Sequence, residues 1–246
     1  ICLAAVVVQV YFDLRLPDYM TELTVLIKTS GTTNFAPYES GADVDLTTLK
    51  TVKSAKDFFF PQSETMMKFR LSGKNISVED VREEKKPFVV FGVRGCDVKS
   101  FDILDKVFLD EPVDTYYKAR RDAGIIFTLA CGKPQESCFC TVFKIDATAP
   151  SGDAACWLDE ENLYVKANTE KGEKVLALGK AFEESTDEKA VEAMNAKTKE
   201  ILEKLPFTHL DISRFKPENL NELFNLPGGT NSPRLASAVV HARSYA

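Results

Sequence analysis

The chain has 246 residues, 44% of them hydrophobic and 28% charged, with a net charge of −6. Such a length and composition suit one globular domain with or without appendages. The acidic balance lacks the basic footprint of a nucleic-acid binder, and the longest apolar run, Ile1 to Val8, is far short of the ~20 residues of a membrane-spanning helix.

That first run reads as a buried strand or helix. No basic segment precedes it and no initiating Met opens it, so it does not read as a signal peptide; the expectation is a chain that begins inside a longer protein. The text is then apolar and β-branched to about Asn34, notably Leu23-Thr-Val-Leu-Ile27, and loosens into Gly, Thr, Pro and Ser up to Gly41. This predicts one or two strands followed by a loop. Ser54 to Phe60 reads as a short helix with Ser54 as N-cap; Pro61 stops it and starts another that carries Met66, Met67 and Phe69 inward.

Ser77 to Lys86 is charged and reads as a solvated helix or linker. Pro87-Phe-Val-Val-Phe-Gly-Val93 is a strand leading to Cys96, after which Val98, Phe101, Ile103, Leu104, Val107 and Phe108 recur at helical spacing. A polar and aromatic stretch, Val113 to Asp122, precedes a second strand, Gly124 to Ala130. Thr141 to Ile145 and Asn162 to Asn168 read as further strands, the latter half-buried. Glu173 to Glu184 and Asp187 to Leu205 read as helices, with Pro206 after the second. Asp211 to Leu226 is a further helical stretch, followed by a Pro-Gly-Gly loop and a small-residue tail. Strands interleaved with amphipathic helices predict an α/β fold, a mixed sheet flanked by helices with cysteine-bearing loops at one sheet edge. The expected division is an α/β domain over 1–225 and a C-terminal tail over 226–246.

The chemistry concentrates in Cys131-Gly-Lys-Pro-Gln-Glu-Ser-Cys138-Phe139-Cys140, directly after the Gly124 strand. Cys96 follows a similar strand, so two strands each deliver cysteine and could place four thiols together. Six cysteines are too few and too uneven for a disulfide-dense secreted fold, and clustered cysteines in a cytoplasmic protein more often bind metal or do redox work. The spacing, 34 residues between Cys96 and Cys131, six to Cys138 and one to Cys140, is neither a ferredoxin run nor a paired zinc pattern. A cubane [4Fe-4S] cluster takes four thiolates, and Cys138-Phe139-Cys140 offers two if Phe139 points away to shield it. Gly95 and Gly132, each beside a cysteine, would let backbone amides approach the sulfides. A tetrahedral zinc ion takes the same four thiolates, and buried unreactive thiols are the bland alternative. Cys2 and Cys156 stand alone and read as packing residues.

Several of these stretches, taken in order, resemble one family. Val52-Lys-Ser-Ala-Lys-Asp-Phe-Phe-Phe-Pro-Gln-Ser-Glu64, Gly92-Val-Arg-Gly-Cys-Asp-Val-Lys-Ser-Phe101, Leu129-Ala-Cys131, Cys138-Phe-Cys140 and Asn168-Thr-Glu-Lys-Gly172 are similar to the iron-sulfur subunit of anaerobic sulfite reductase and the beta subunit of sulfhydrogenases, in the 4Fe-4S dicluster-domain family. The resemblance covers roughly Leu49 to Leu178. It implies a cytoplasmic electron carrier that sits between a flavoprotein reductase subunit, on one side, and a catalytic oxidoreductase subunit that reduces sulfite or protons, on the other. Cys96, Cys131, Cys138 and Cys140 fall on the family's cysteine positions and inherit a cluster-ligand role. The family usually has Pro at the position of Gly95, and its members normally continue into a module with two ferredoxin-type cysteine runs. No cysteine follows Phe215 here, so either that module is lost or the chain is a fragment of a longer one; the expectation is one cluster, and a tail from Leu226 that docks a partner supplying the remaining centres is the alternative.

Other candidates are weaker. His209 and His241 have no catalytic neighbours, Gly228-Gly229 lacks the Lys-Ser/Thr of a phosphate cradle, and no nucleophile or acid-base pair is visible. The expected role is accessory electron transfer rather than catalysis by the chain alone. The alternative is a structural zinc-binding interaction module or a scaffold.

Overall fold

The computed structural model describes residues 22–29, 31–39, 42–48, 51–82, 86–159, 162–178, 185 and 188–210. Ile1 to Val8, Cys2, the helix read over Asp211 to Leu226, Gly228-Gly229, His241 and the tail 226–246 lie outside them.

The Val, Ile and Leu runs build one six-stranded mixed sheet. Its strands are β1 (Glu22–Thr29), β2 (Thr32–Pro37), β5 (Phe88–Arg94), β6 (Gly124–Leu129), β7 (Ala154–Leu158) and β8 (Leu163–Ala167), in the order β2-β1-β5-β6-β7-β8. The four inner strands are parallel, and β2 and β8 close the two sides antiparallel. Uninterrupted apolar sequence in β5 and β6 marks strands covered on both faces, and Val89, Val90, Val93, Ile126 and Phe127 are buried accordingly. The predicted α/β mixed sheet is therefore present.

Among the described residues four α-helices accompany it, α1 (Gly95–Phe108), α2 (Thr115–Ala123), α3 (Glu170–Leu178) and α4 (Glu188–Glu203). The Asp114 carboxylate caps α2, accepting the amides of Tyr116 and Tyr117 at 2.9 Å. The Tyr117 hydroxyl donates to Asp105 on α1 at 2.6 Å, and Arg121 pairs with the same carboxylate at 3.1 Å. Ser54 caps the predicted short helix, which is a 3-10 turn, Ala55–Phe58. The Phe59 ring beyond it is fully buried, 4.7 Å from Phe101 and 5.3 Å from Phe88.

Several expectations fail. Part of the loop read before Gly41 is β2, because the β1 hairpin continues across Gly31. No helix follows Pro61, and the charged segment from Ser77 is not helical at its start. Instead β3 (Lys68–Ser72) and β4 (Asn75–Glu79) form a separate hairpin, so Met66, Met67 and Phe69 are exposed rather than inward. Alternation in Phe69, Leu71, Ile76 and Val78 around Gly73-Lys74 is the hairpin signal that outweighed the proline. The strand read at Thr141 to Ile145 is a 3-10 turn, Cys140–Phe143, closed by Lys144 in the left-handed region at φ 56. Its β-branched residues suit a strand, but amides 142, 144 and 145 bond back to carbonyls 139, 141 and 140. On α1, Ile103 and Val107 turn out to be exposed. The buried strand β7 went unread, since Ala-Ala-Cys-Trp-Leu is short and does not alternate.

Candidate metal centre

The two cysteine-bearing connections leave the same end of the sheet because β5 and β6 are parallel and in register, Arg94 facing Leu129. Cys96 and Cys131 each lie two residues beyond that pair. This is the carboxyl end of the central strands, where α/β sheets place their sites. Gly92 makes the register possible. At φ 90 it forms a bulge between Phe91 and Val93, so that two residues of β5 oppose one of β6. A Cβ there would stand 2.9 Å from Leu26 Cδ1.

Arg94 is the N-cap of α1, Gly95 its first residue and Cys96 its second. Position 95 is where helices accept proline, so glycine in its place leaves the helix start intact. A Cβ at Gly95 would touch Pro150 at 3.4 Å, whereas one at Gly132 would meet nothing within 4 Å. After β6, Ala130 N–H donates to Cys156 O at 2.8 Å and Cys131 N–H to Ala147 O at 2.9 Å, which holds the chain beside β7. The loop then folds on itself: Cys138 N–H reaches Gln135 O at 2.9 Å, and Gln135 N–H reaches Cys138 Sγ at 3.2 Å. Cys140 opens the 3-10 turn, and Thr141 Oγ1 bonds Thr208 O at 2.9 Å, tying the turn to the chain after α4.

The four thiols come within reach of each other's charge. Burial pushes the Cys140 thiol up to about 11, and the neighbouring charges of Cys96, Cys138 and Cys131 push the same way. Burial also raises Cys131; the Lys133 amide opposes the rise, and Cys138 and Cys96 add to it. Cys96 keeps some solvent contact, yet the protein around it raises its thiol, as does Asp97, against the pull of Arg94 and of the Asp97 amide. Arg94 sits between these groups. Burial weakens its charge, but Asp97, to which Nε is bonded at 2.9 Å, together with Cys96 and Cys131, more than compensates.

Four soft sulfurs that repel one another when ionised, with backbone amides directed at three of them, suit a cationic metal group. Among the described residues, no three Cys, His, Asp or Glu side chains stand where they could hold a single metal ion. Phe139 is half-exposed, its ring 5.7 Å from that of Phe143. Lys99 is an exposed partner of Asp102 at 2.8 Å, and Lys133 and His209 are exposed. Cys156 is fully buried and its thiol is pushed up by burial, as suits a packing residue. The roles of Asp97, Ala147 and Thr208 at this site carried no signal in the sequence, since each depends on a contact between distant segments or with a helix start.

The fold and the site together define an α/β protein that carries Cys96 and Cys131 just past the carboxyl ends of two central strands, with Cys138 and Cys140 in the loop and turn that follow β6. The chain is similar to the sulfhydrogenase 2 subunit beta of Pyrococcus furiosus, 35% identical over 120 residues. The matched stretch is 49% of this chain and 34% of the relative, so the chain spans about a third of that protein's length. No family model matches the chain, and no solved structure matches it. No helix among the described residues is long and apolar enough to cross a membrane.

Proposed function

We propose that the chain is an iron-sulfur electron-transfer subunit of a multi-subunit oxidoreductase, relaying electrons between a flavoprotein and a catalytic subunit of hydrogenase or sulfite-reductase type. Cys96, Cys131, Cys138 and Cys140 hold one [4Fe-4S] cluster within an α/β unit spanning 1–225, and the tail 226–246 serves a partner. The carrying observation is that two parallel core strands in register bring Cys96 and Cys131 to the same end of the sheet, with Cys138 and Cys140 in the loop and turn that follow. Likeness to a protein named as a sulfhydrogenase subunit supports partner subunits. A single zinc ion at ~2.3 Å from each thiolate draws its sulfurs to within roughly 4 Å of one another. Zinc takes the same four thiolates, and counts of iron, sulfide and zinc separate the two.

Bound there, the cluster supplies one-electron chemistry. The chain sets Cys96 in the first turn of α1 and the other three thiols in the loop and turn after β6, directs the amides of Asp97, Lys133 and Gln135 at sulfur, and sets the Arg94 charge beside Cys96 and Cys131. Protein purified without oxygen should be brown, bleach on reduction, and contain about four iron and four sulfide per chain. Electron paramagnetic resonance of the dithionite-reduced sample should show a single cluster. A colourless protein carrying one zinc per chain would overturn the assignment.

A further inference from the structure

The β3–β4 hairpin is separate from the main sheet, and its pairing puts Phe69 opposite Val78 and Leu71 opposite Ile76. Side chains alternate along a strand, so these four share one face. The other face carries Lys68, Arg70, Ser77 and Glu79, with Arg70 paired to Glu79 at 3.1 Å. The apolar four are 64, 65, 66 and 66% exposed, and Met66 and Met67 just before them are 54 and 59% exposed. A lone two-stranded hairpin is marginal in water without something packed on it.

The roots of this hairpin are anchored. The Tyr116 hydroxyl donates to Met66 O at 2.6 Å, and Arg82 donates to Thr115 Oγ1 at 2.7 Å while holding Asp80. Helix α2 therefore presents the apolar face outward on a fixed base.

We infer that this face is the contact between two copies of the chain, packed hairpin on hairpin about a two-fold axis. The four side chains are each about two-thirds uncovered and leave a patch of several hundred Å², on the order of the ~800 Å² that each partner contributes to a stable interface. A two-fold contact sets one patch against a copy of itself, so a net charge on the patch would be repelled by the same charge on the other copy. This face has none. Stacked faces lie ~10 Å apart, which lets Phe69 and Leu71 of one copy interleave with those of the other, and the adjoining methionines adapt to the rim.

Sedimentation equilibrium on the full chain is expected to give a dimer. Leu71→Glu and Leu71→Lys should each be monomeric with an unchanged far-UV spectrum, because Leu71 buries little in the single copy, and mixing the two should restore the dimer. Ser77→Glu, on the opposite face, should leave association untouched. A monomer at every concentration up to the solubility limit, or a dimer that persists in both Leu71 variants, overturns the inference. Neither result depends on iron content, so the inference stands or falls apart from the metal assignment.

Discussion

Arg94 combines three local facts: it caps α1, pairs with Asp97, and lies in the field of Cys96 and Cys131. A cation there favours the more negative, reduced state of a bound cluster. Arg94→Gln should lower the reduction potential by an amount on the order of 1 kcal/mol, or ~40 mV for one electron. Lys99 is engaged by Asp102 at the surface, so Lys99→Gln should leave the potential within error of the parent. Equal shifts in both variants would mean that net charge, not placement, sets the potential. Arg94, Lys99 and Lys133 all lie within three residues of a cysteine in the sequence; burial and pairing separate them.

Asp45 is a second residue whose environment decides its chemistry. Burial raises its carboxyl, but hydrogen bonds from Thr47, Thr48 and Thr33 outweigh that and bring it down to about 2. A carboxylate lowered by folding contributes stability above its unfolded value of about 4, and that contribution disappears as pH falls toward 2. Asp45→Asn should therefore flatten the acid limb of the stability curve between pH 4 and 2, read as the melting temperature at each pH. An acid limb as steep as the parent's would assign the loss to other carboxylates.

At the scale of elements, the stretch Asn168 to Gly172 is a clasp. Asn168 N–H and Thr169 N–H donate to Asp153 O, and Thr169 Oγ1 donates to Asp153 Oδ1 at 2.7 Å. The other carboxylate oxygen accepts Ile126 N–H at 2.9 Å. Lys171 Nζ reaches Asp122 O at 2.8 Å at the C-terminus of α2, where a cation suits the exposed carbonyls. A Cβ at Gly172 would stand 2.1 Å from Asp153 O, so α3 docks only with glycine there. Gly172→Ala should cost ~2–3 kcal/mol, measurable as a lower denaturant midpoint. A loss below about 0.5 kcal/mol, the range of a neutral surface change, would show that α3 shifts to accommodate the methyl. This motif was visible in the sequence as part of a family pattern, but its purpose was not: its partners lie on β6, α2 and the turn before β7.

For the whole molecule, the buried core and the cysteine loops are separate structures. Cys96, Cys131, Cys138 and Cys140 lie outside the buried apolar cluster, which runs from Leu23 through β5 and β6 to Val175. Cys138→Ser should abolish visible absorption and keep the far-UV spectrum. Removing the proposed cluster from the parent chain should lower its melting temperature, because a ligand held only by the folded state stabilises that state. If Cys138→Ser unfolded the chain, the loop would have to be part of the core.

Local sequence was enough for the α/β class and for the two central strands that lead to Cys96 and Cys131. Long β-branched runs bury themselves wherever the chain goes, and a cysteine two residues past a strand end is carried there by the backbone. Local sequence was not enough for the side of the sheet those ends occupy, the Gly92 bulge that aligns them, or the selection of Arg94 among three cations. It also pointed the wrong way at β3, β4 and Thr141 to Ile145, where local preference was evenly divided and turn geometry tipped the balance. Those outcomes depend on contacts between residues far apart in the chain, Arg94 beside Leu129 or Thr141 on Thr208, whose energies exist only once the sheet has brought them together.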